Sequence, residues 1–82
     1  MQINLRVQFE DESSKDLTAK AVDIVAFEER FDLSVANLEK QMKMTHLFFL
    51  GWHVDQRTGG TKETFEKWLE SVETVEVFEP KK

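Results

Sequence analysis

Between Gln2 and Phe9 the chain alternates without a fault: Ile3, Leu5, Val7 and Phe9 are apolar, and Asn4, Arg6 and Gln8 are polar. A period of two with one oily face is what a half-buried β-strand requires. From Ala21 onward that period is gone. Ile24, Phe27 and Phe31 fall at i, i+3 and i+7, with Ala21 one turn before and Val25 beside the stripe. This is the spacing of an amphipathic helix of about three turns. The switch from one period to the other within twenty residues assigns the chain to the α+β class.

The polar run Glu10-Asp11-Glu12-Ser13-Ser14 supplies turn-forming side chains, and Lys15 to Ala19 is expected to return as a short second strand. Residues 2–19 therefore read as an N-terminal hairpin. The helix after it is interrupted at Asp32 to Ser34, where Ser34 is placed to cap a short helical segment bearing Val35 and Leu38. Met44 to Arg57 is the most apolar segment, with Met44, Leu47, Phe48, Gly51 and Val54 on one face and Phe49, Leu50 and Trp52 extending the oily surface round the cylinder. Gly59 and Gly60 stop it. Thr61 is expected to cap a last helix running from Lys62 to about Val72, with Phe65, Trp68, Leu69 and Val72 as its buried stripe. Val75 to Phe78 alternates weakly and reads as a short strand joining the hairpin. The expectation is one compact domain over residues 1–79, with 80–82 a disordered tail.

At 82 residues without cysteine, disulfides and thiolate zinc sites are excluded. Of the usual supplements to a small core, self-association is left. No stretch approaches the roughly 18 apolar residues of a membrane span, so the expected location is the cytoplasm, with no membrane partner. A net charge of −5 repels phosphate backbones, and no nucleic-acid partner is expected.

Catalytic chemistry finds little to work with. His46 and His53 lie seven residues apart, about 10 Å along a helix axis, too far to share one metal ion. The carboxylates fall mainly at positions that read as solvated helix faces, such as Glu28-Glu29 and Glu63, Glu66 and Glu70. Gly59-Gly60 lacks the Lys-Ser/Thr of a phosphate loop. The reading is no catalytic residue, no metal, no cofactor and no enzyme. What stands out is aromatic content, seven Phe and two Trp, of which Phe48, Phe49 and Trp52 cannot all enter one small core from one helix. Phe49, Leu50 and Trp52 are therefore the candidate partner-binding residues.

The order of these segments carries a resemblance. A short hairpin precedes Asp23-Ile24-Val25-Ala26-Phe27-Glu28-Glu29-Arg30-Phe31, then Leu47-Phe48-Phe49-Leu50-Gly51-Trp52-His53, Arg57-Thr58-Gly59-Gly60, Phe65-Glu66-Lys67-Trp68-Leu69 and Val75-Glu76-Val77. Over most of its length the chain resembles the small tail assembly chaperones of long-tailed bacteriophages and related prophages. The resemblance implies a protein of the bacterial host cytoplasm, made during virion morphogenesis and absent from the mature virion. It would bind the tape measure protein and help recruit tail tube subunits. It implies no catalytic residue, and no motif of the family defines partner-binding positions here. Two other readings stay open at this point: an acidic inhibitor that mimics nucleic acid, and a structural head–tail or tail component.

Overall fold

A computed structural model describes residues 3–32 and 43–78 of the chain. Strand β1 (Ile3–Phe9) and strand β2 (Ser14–Ala19) form an antiparallel hairpin, followed by helix α1 (Ala21–Phe31), helix α2 (Met44–Arg57), helix α3 (Phe65–Leu69) and strand β3 (Val72–Val77). The last strand pairs antiparallel with the first, so the sheet order is β2-β1-β3. The α+β architecture with an N-terminal hairpin, helices and a C-terminal strand is the one the periodicities predict.

Register follows from the alternation. Leu5 stands opposite Leu17 and Val77, and Val7 opposite Lys15 and Val75, which gathers the apolar members of all three strands on one face. Leu5 and Val7 are fully buried there. The opposite face carries Asn4, Arg6, Asp16, Thr18 and Glu76. Arg6 donates to both carboxylate oxygens of Asp16, at 2.9 and 3.3 Å, and stacks 4.5 Å from the Phe78 ring. The hairpin loop is closed by Phe9 and Ser13, with the Asp11 carboxylate accepting from the Ser13 amide and Glu12 held at φ 72°. That left-handed position usually belongs to Gly or Asn.

Helix α2 has the bounds its apolar pattern predicts and covers the inner face of the sheet, touching all three strands. Leu47, Leu50, Gly51 and Val54 point inward. Gly51 is where helix and sheet come closest: a Cβ there would sit 3.3 Å from the Trp68 ring and 3.4 Å from Val7. At the end of α2 the Thr58 and Gly59 amides donate back to Val54 and Gln56, Gly60 donates to Asp55 at 2.7 Å, and Gly59 takes φ 84°. Glycine there terminates the helix as its sequence position predicts.

Two expectations need correction. The last helix does not start after Thr61 or reach Val72. It is a five-residue piece capped by Thr64, whose hydroxyl accepts from the Lys67 amide at 3.2 Å, while Thr61 caps only the turn before it by accepting from Glu63. Val72 opens β3 instead, and its pairing with Phe9 buries it in the sheet. The helical spacing of Val72 is thus a coincidence of position: pairing with β1 satisfies its backbone as well as a further turn would. The segment assigned to Ser34, Val35 and Leu38, and the tail at 80–82, lie outside the described residues.

Trp68 sits at the junction of α3, α2 and the sheet, 1 % exposed and edge-on to Phe9 at 6.4 Å. Trp68→Ala should cost about 3–5 kcal/mol, most of the roughly 5 kcal/mol available to so small a domain. Urea unfolding should show the variant largely unfolded in buffer; an unchanged midpoint would contradict this packing.

Candidate functional site

The residues singled out for partner binding all lie on α2, and the structure separates them. Phe49 is 4 % exposed and Leu50 is fully buried. The exposure expected of these two is not found. The reason is that α2 is enclosed on its flanks as well as on its sheet side. On one flank α1 brings Phe31 to 5.4 Å from Phe49, and on the other the first residue of α3, Phe65, comes to 5.8 Å. Arg30 closes the seam between them, its guanidinium 5.6 Å from the Phe49 ring and 5.9 Å from Phe65. Trp52 is half-buried. Its indole N–H donates to the Glu63 carbonyl at 2.9 Å and its ring packs on Phe49 and Phe65, so it pins the 58–64 loop to α2 and leaves one edge to solvent. Phe48, expected on the buried face, is half-buried too, and Met44 is exposed.

The apolar surface that does reach solvent is elsewhere. Among the described residues the large apolar side chains more than half exposed are Val22 and Val25 of α1, at 54 % and 51 %. They are three residues apart and so neighbours on the helix surface. Ile24 and Phe27 take the opposite, buried face.

Two carboxylates, neither among the Glu positions read as solvated faces, are buried. Asp23 is fully buried at the start of α1 and accepts four hydrogen bonds: two from the Arg57 guanidinium (3.0 and 2.8 Å), one from His53 Nδ1 (2.6 Å) and one from the Lys20 amide (2.8 Å). His53 and Arg57 stand four residues apart on one side of α2, and Asp23 sits in the same stripe as Phe27. That joint i, i+4 pattern is the sequence signal that marks the cluster. Burial pushes the Asp23 carboxyl up, but the bonds from Arg57, the Lys20 amide and His53, with the Arg57 charge, outweigh it and hold the group below the usual carboxylate range. Asp55 is the second, 2 % exposed, accepting from Lys15 Nζ at 2.9 Å and from the Trp68 indole at 3.1 Å. Both acids are fully engaged in holding elements together. Each ties a flank to α2: Asp23 ties α1, and Asp55 ties β2 and α3.

His46 lies apart from His53, buried between Phe27 and Phe31 with ring centroids at 5.4 and 4.8 Å, and its Nδ1 has no hydrogen-bond partner. Among the described residues no three His, Asp or Glu side chains converge as a metal-ligand group. An open depression at the hairpin end, lined by Phe9, Glu10, Asp11, Ser13, Lys15 and Ser71, offers one cation, and that cation is bound to Asp55. None of the helices among the described residues is long and apolar enough to cross a membrane. Comparison of the chain with models of known protein families, with characterised proteins and with solved structures returns no match.

Two stability tests follow from these clusters. Asp23 has a folded pKa below its unfolded value of about 3.9, so its contribution is complete above that pH and is lost as pH falls through the lower folded value. That contribution should be constant from neutrality to about pH 5 and fall below about pH 4. Asp11 and Asp16 are shifted in the same direction by Ser13 and Arg6, so the diagnostic quantity is the difference between the native chain and Asp23→Asn in urea titrations. A fall of the same size in both would remove Asp23 from this role. Replacing the orphaned imidazole, His46→Phe, should raise stability by about 1 kcal/mol, and the urea midpoint with it, because the unpaired nitrogen is deleted and an aromatic ring is kept. A drop in midpoint would show that the nitrogen is satisfied.

Proposed function

We propose that the chain is a non-catalytic protein-binding module, a tail assembly chaperone of the long-tailed bacteriophage type. In this reading it keeps the tape measure protein soluble while tail tube subunits assemble around it, and it is absent from the finished particle. The observation that carries the reading is the apolar surface left at the helical layer: Val22 and Val25 side by side on α1, Met44 at the start of α2, and the open edge of Trp52. A client with a long apolar-striped helix is held by a chaperone that keeps some apolar surface outside its own core. The net charge of −5 supports the same role by keeping the complex in solution. The order of sequence segments shared with such chaperones supports the choice of client.

The nucleic-acid-mimic alternative is less favoured, since Asp23 and Asp55 are internal and Asp16 is paired with Arg6. The exposed acids are spread over the hairpin loop, α1, the region of α3 and β3 rather than confined to one element.

Co-expression with a tape measure protein from the same genome, read by its soluble fraction, is the direct test. The native chain should keep the client soluble and co-purify with it, and purified virions should lack the chain. Val22→Asp with Val25→Asp should keep the thermal midpoint and reduce co-purification by about ten-fold or more. A client equally insoluble with and without the chain, or the chain found as a stoichiometric virion component, would end this reading.

A further inference from the structure

The outer face of α1 is a single line of exposed residues: Val22, Val25, Glu29 and Asp32 follow one another at i, i+3, i+7 and i+10. Its first half is apolar and its second half acidic. The apolar half breaks a local rule. Valine is β-branched and loses side-chain freedom in a helix, so on a solvated helical face it is a poorer choice than Ala, Glu or Lys. Here two such residues gain only partial burial within the monomer in return, at 54 % and 51 % exposure. Uncompensated departures of this kind concentrate at working surfaces.

The acidic half sits where the helix dipole is already negative. Glu29 lies in the last turn of α1 and Asp32 is its C-cap, in the left-handed conformation at φ 49°. Acidic groups are the unfavourable choice at a helix C-terminus. The one basic residue of that turn, Arg30, is turned the other way, over Phe49 and Phe65. The stripe therefore ends in a negative potential that no basic residue of α1 among the described residues neutralises along its own line.

We propose that this stripe docks an amphipathic helical segment of another protein, one with two apolar side chains a turn apart followed one to two turns later by Lys or Arg. The proposal rests on the protein-binding reading above and specifies the chemistry of the client. Charge selects the occupant. A second copy laid antiparallel over the whole stripe would set Val25 against Glu29 and Val22 against Asp32; laid parallel, it would set Glu29 against Glu29. Both arrangements oppose apolar to charged groups or like to like. An anionic lipid surface is repelled by the same acids. A basic segment satisfies both halves at once, with the apolar pair on the valines and the cation at the helix terminus.

The test uses the full chain and two synthetic helical peptides of about 18 residues, identical in their Leu pairs and carrying either Lys or Glu at the flanking positions. Amide chemical-shift mapping of the ¹⁵N-labelled chain should place the Lys peptide on Val22, Val25 and Glu29, with binding that weakens as salt rises from about 50 to about 500 mM. The Glu peptide should not bind. Val25→Ser should weaken the Lys peptide by about ten-fold. Glu29→Lys, at an exposed position that leaves the core untouched, should reverse the preference between the two peptides. Equal binding of both peptides, shifts centred on another face, no binding of either, or dimerisation of the chain through α1 would overturn the proposal. The two readings fail separately. A tape measure protein that co-purifies regardless of Glu29→Lys sinks the stripe and leaves the chaperone. A charge-reversible peptide site with no tape measure binding sinks the chaperone and leaves the stripe.

Discussion

A sheet of three short strands has one apolar face to hide, and a single helix, α2, lies across it and touches every strand. That leaves α2 with two flanks that one sheet cannot cover. An oily flank exposed to water would forfeit about 25 cal/mol for each Å², so the remaining elements are arranged as its side walls. Helix α1 is one wall, and α3 with its preceding loop is the other. Burial of Phe27 on one wall and of Phe65 and Trp68 on the other is supplemented by buried ionic bonds. Asp23, bonded to His53 and Arg57, fastens the first wall. Asp55, bonded to Lys15 and Trp68, fastens the second to the hairpin as well. Removing one partner from such a buried ionic group generally costs more than the pair contributes, because the other is left unsatisfied.

Much of this was legible in the sequence, and the parts that were not share a cause. The strands, α1 and both ends of α2 follow from periodicity and from the Gly59-Gly60 stop, because these are local properties. The fate of Phe49 and Leu50 is not local. A helix oily round most of its circumference is either exposed or walled in, and only the tertiary position of Phe31 and Phe65 decides which. The two buried acids went unassigned for a similar reason. Asp23 and Asp55 look like any other charged helix positions until their partners, thirty or more residues away in three of the four side-chain pairings, are brought up. The short last helix was obscured by Val72, whose helical spacing and strand pairing are both possible and which the sheet claims.

The two edges of the sheet are guarded differently. On β3 the register shifts between Gln8 and Phe9, leaving Glu73 as an extra residue between Val72 and Thr74. Such a bulge spoils the flat row of donors and acceptors that another strand would need. On β2 the edge carries Lys15 and Asp16, one committed to Asp55 and the other to Arg6. Charged side chains on an edge strand discourage pairing with a further chain. Both sides of the sheet thus resist extension by a further strand.

The pairing of β1 with β3 has a consequence for how the molecule is made. The central strand of the sheet is also the first one synthesised, and its second neighbour, Val72–Val77, is the last described strand. Until that strand leaves the ribosome, β1 keeps one edge bare and Trp68 has only part of its socket. The hairpin can form early from local contacts, but closing the sheet waits on a contact spanning nearly the whole chain, which is the slowest kind to find. A chain stalled or cleaved before Val72 would present an open strand edge beside an uncovered apolar face. It would be a substrate for aggregation and quality control where the finished molecule is not.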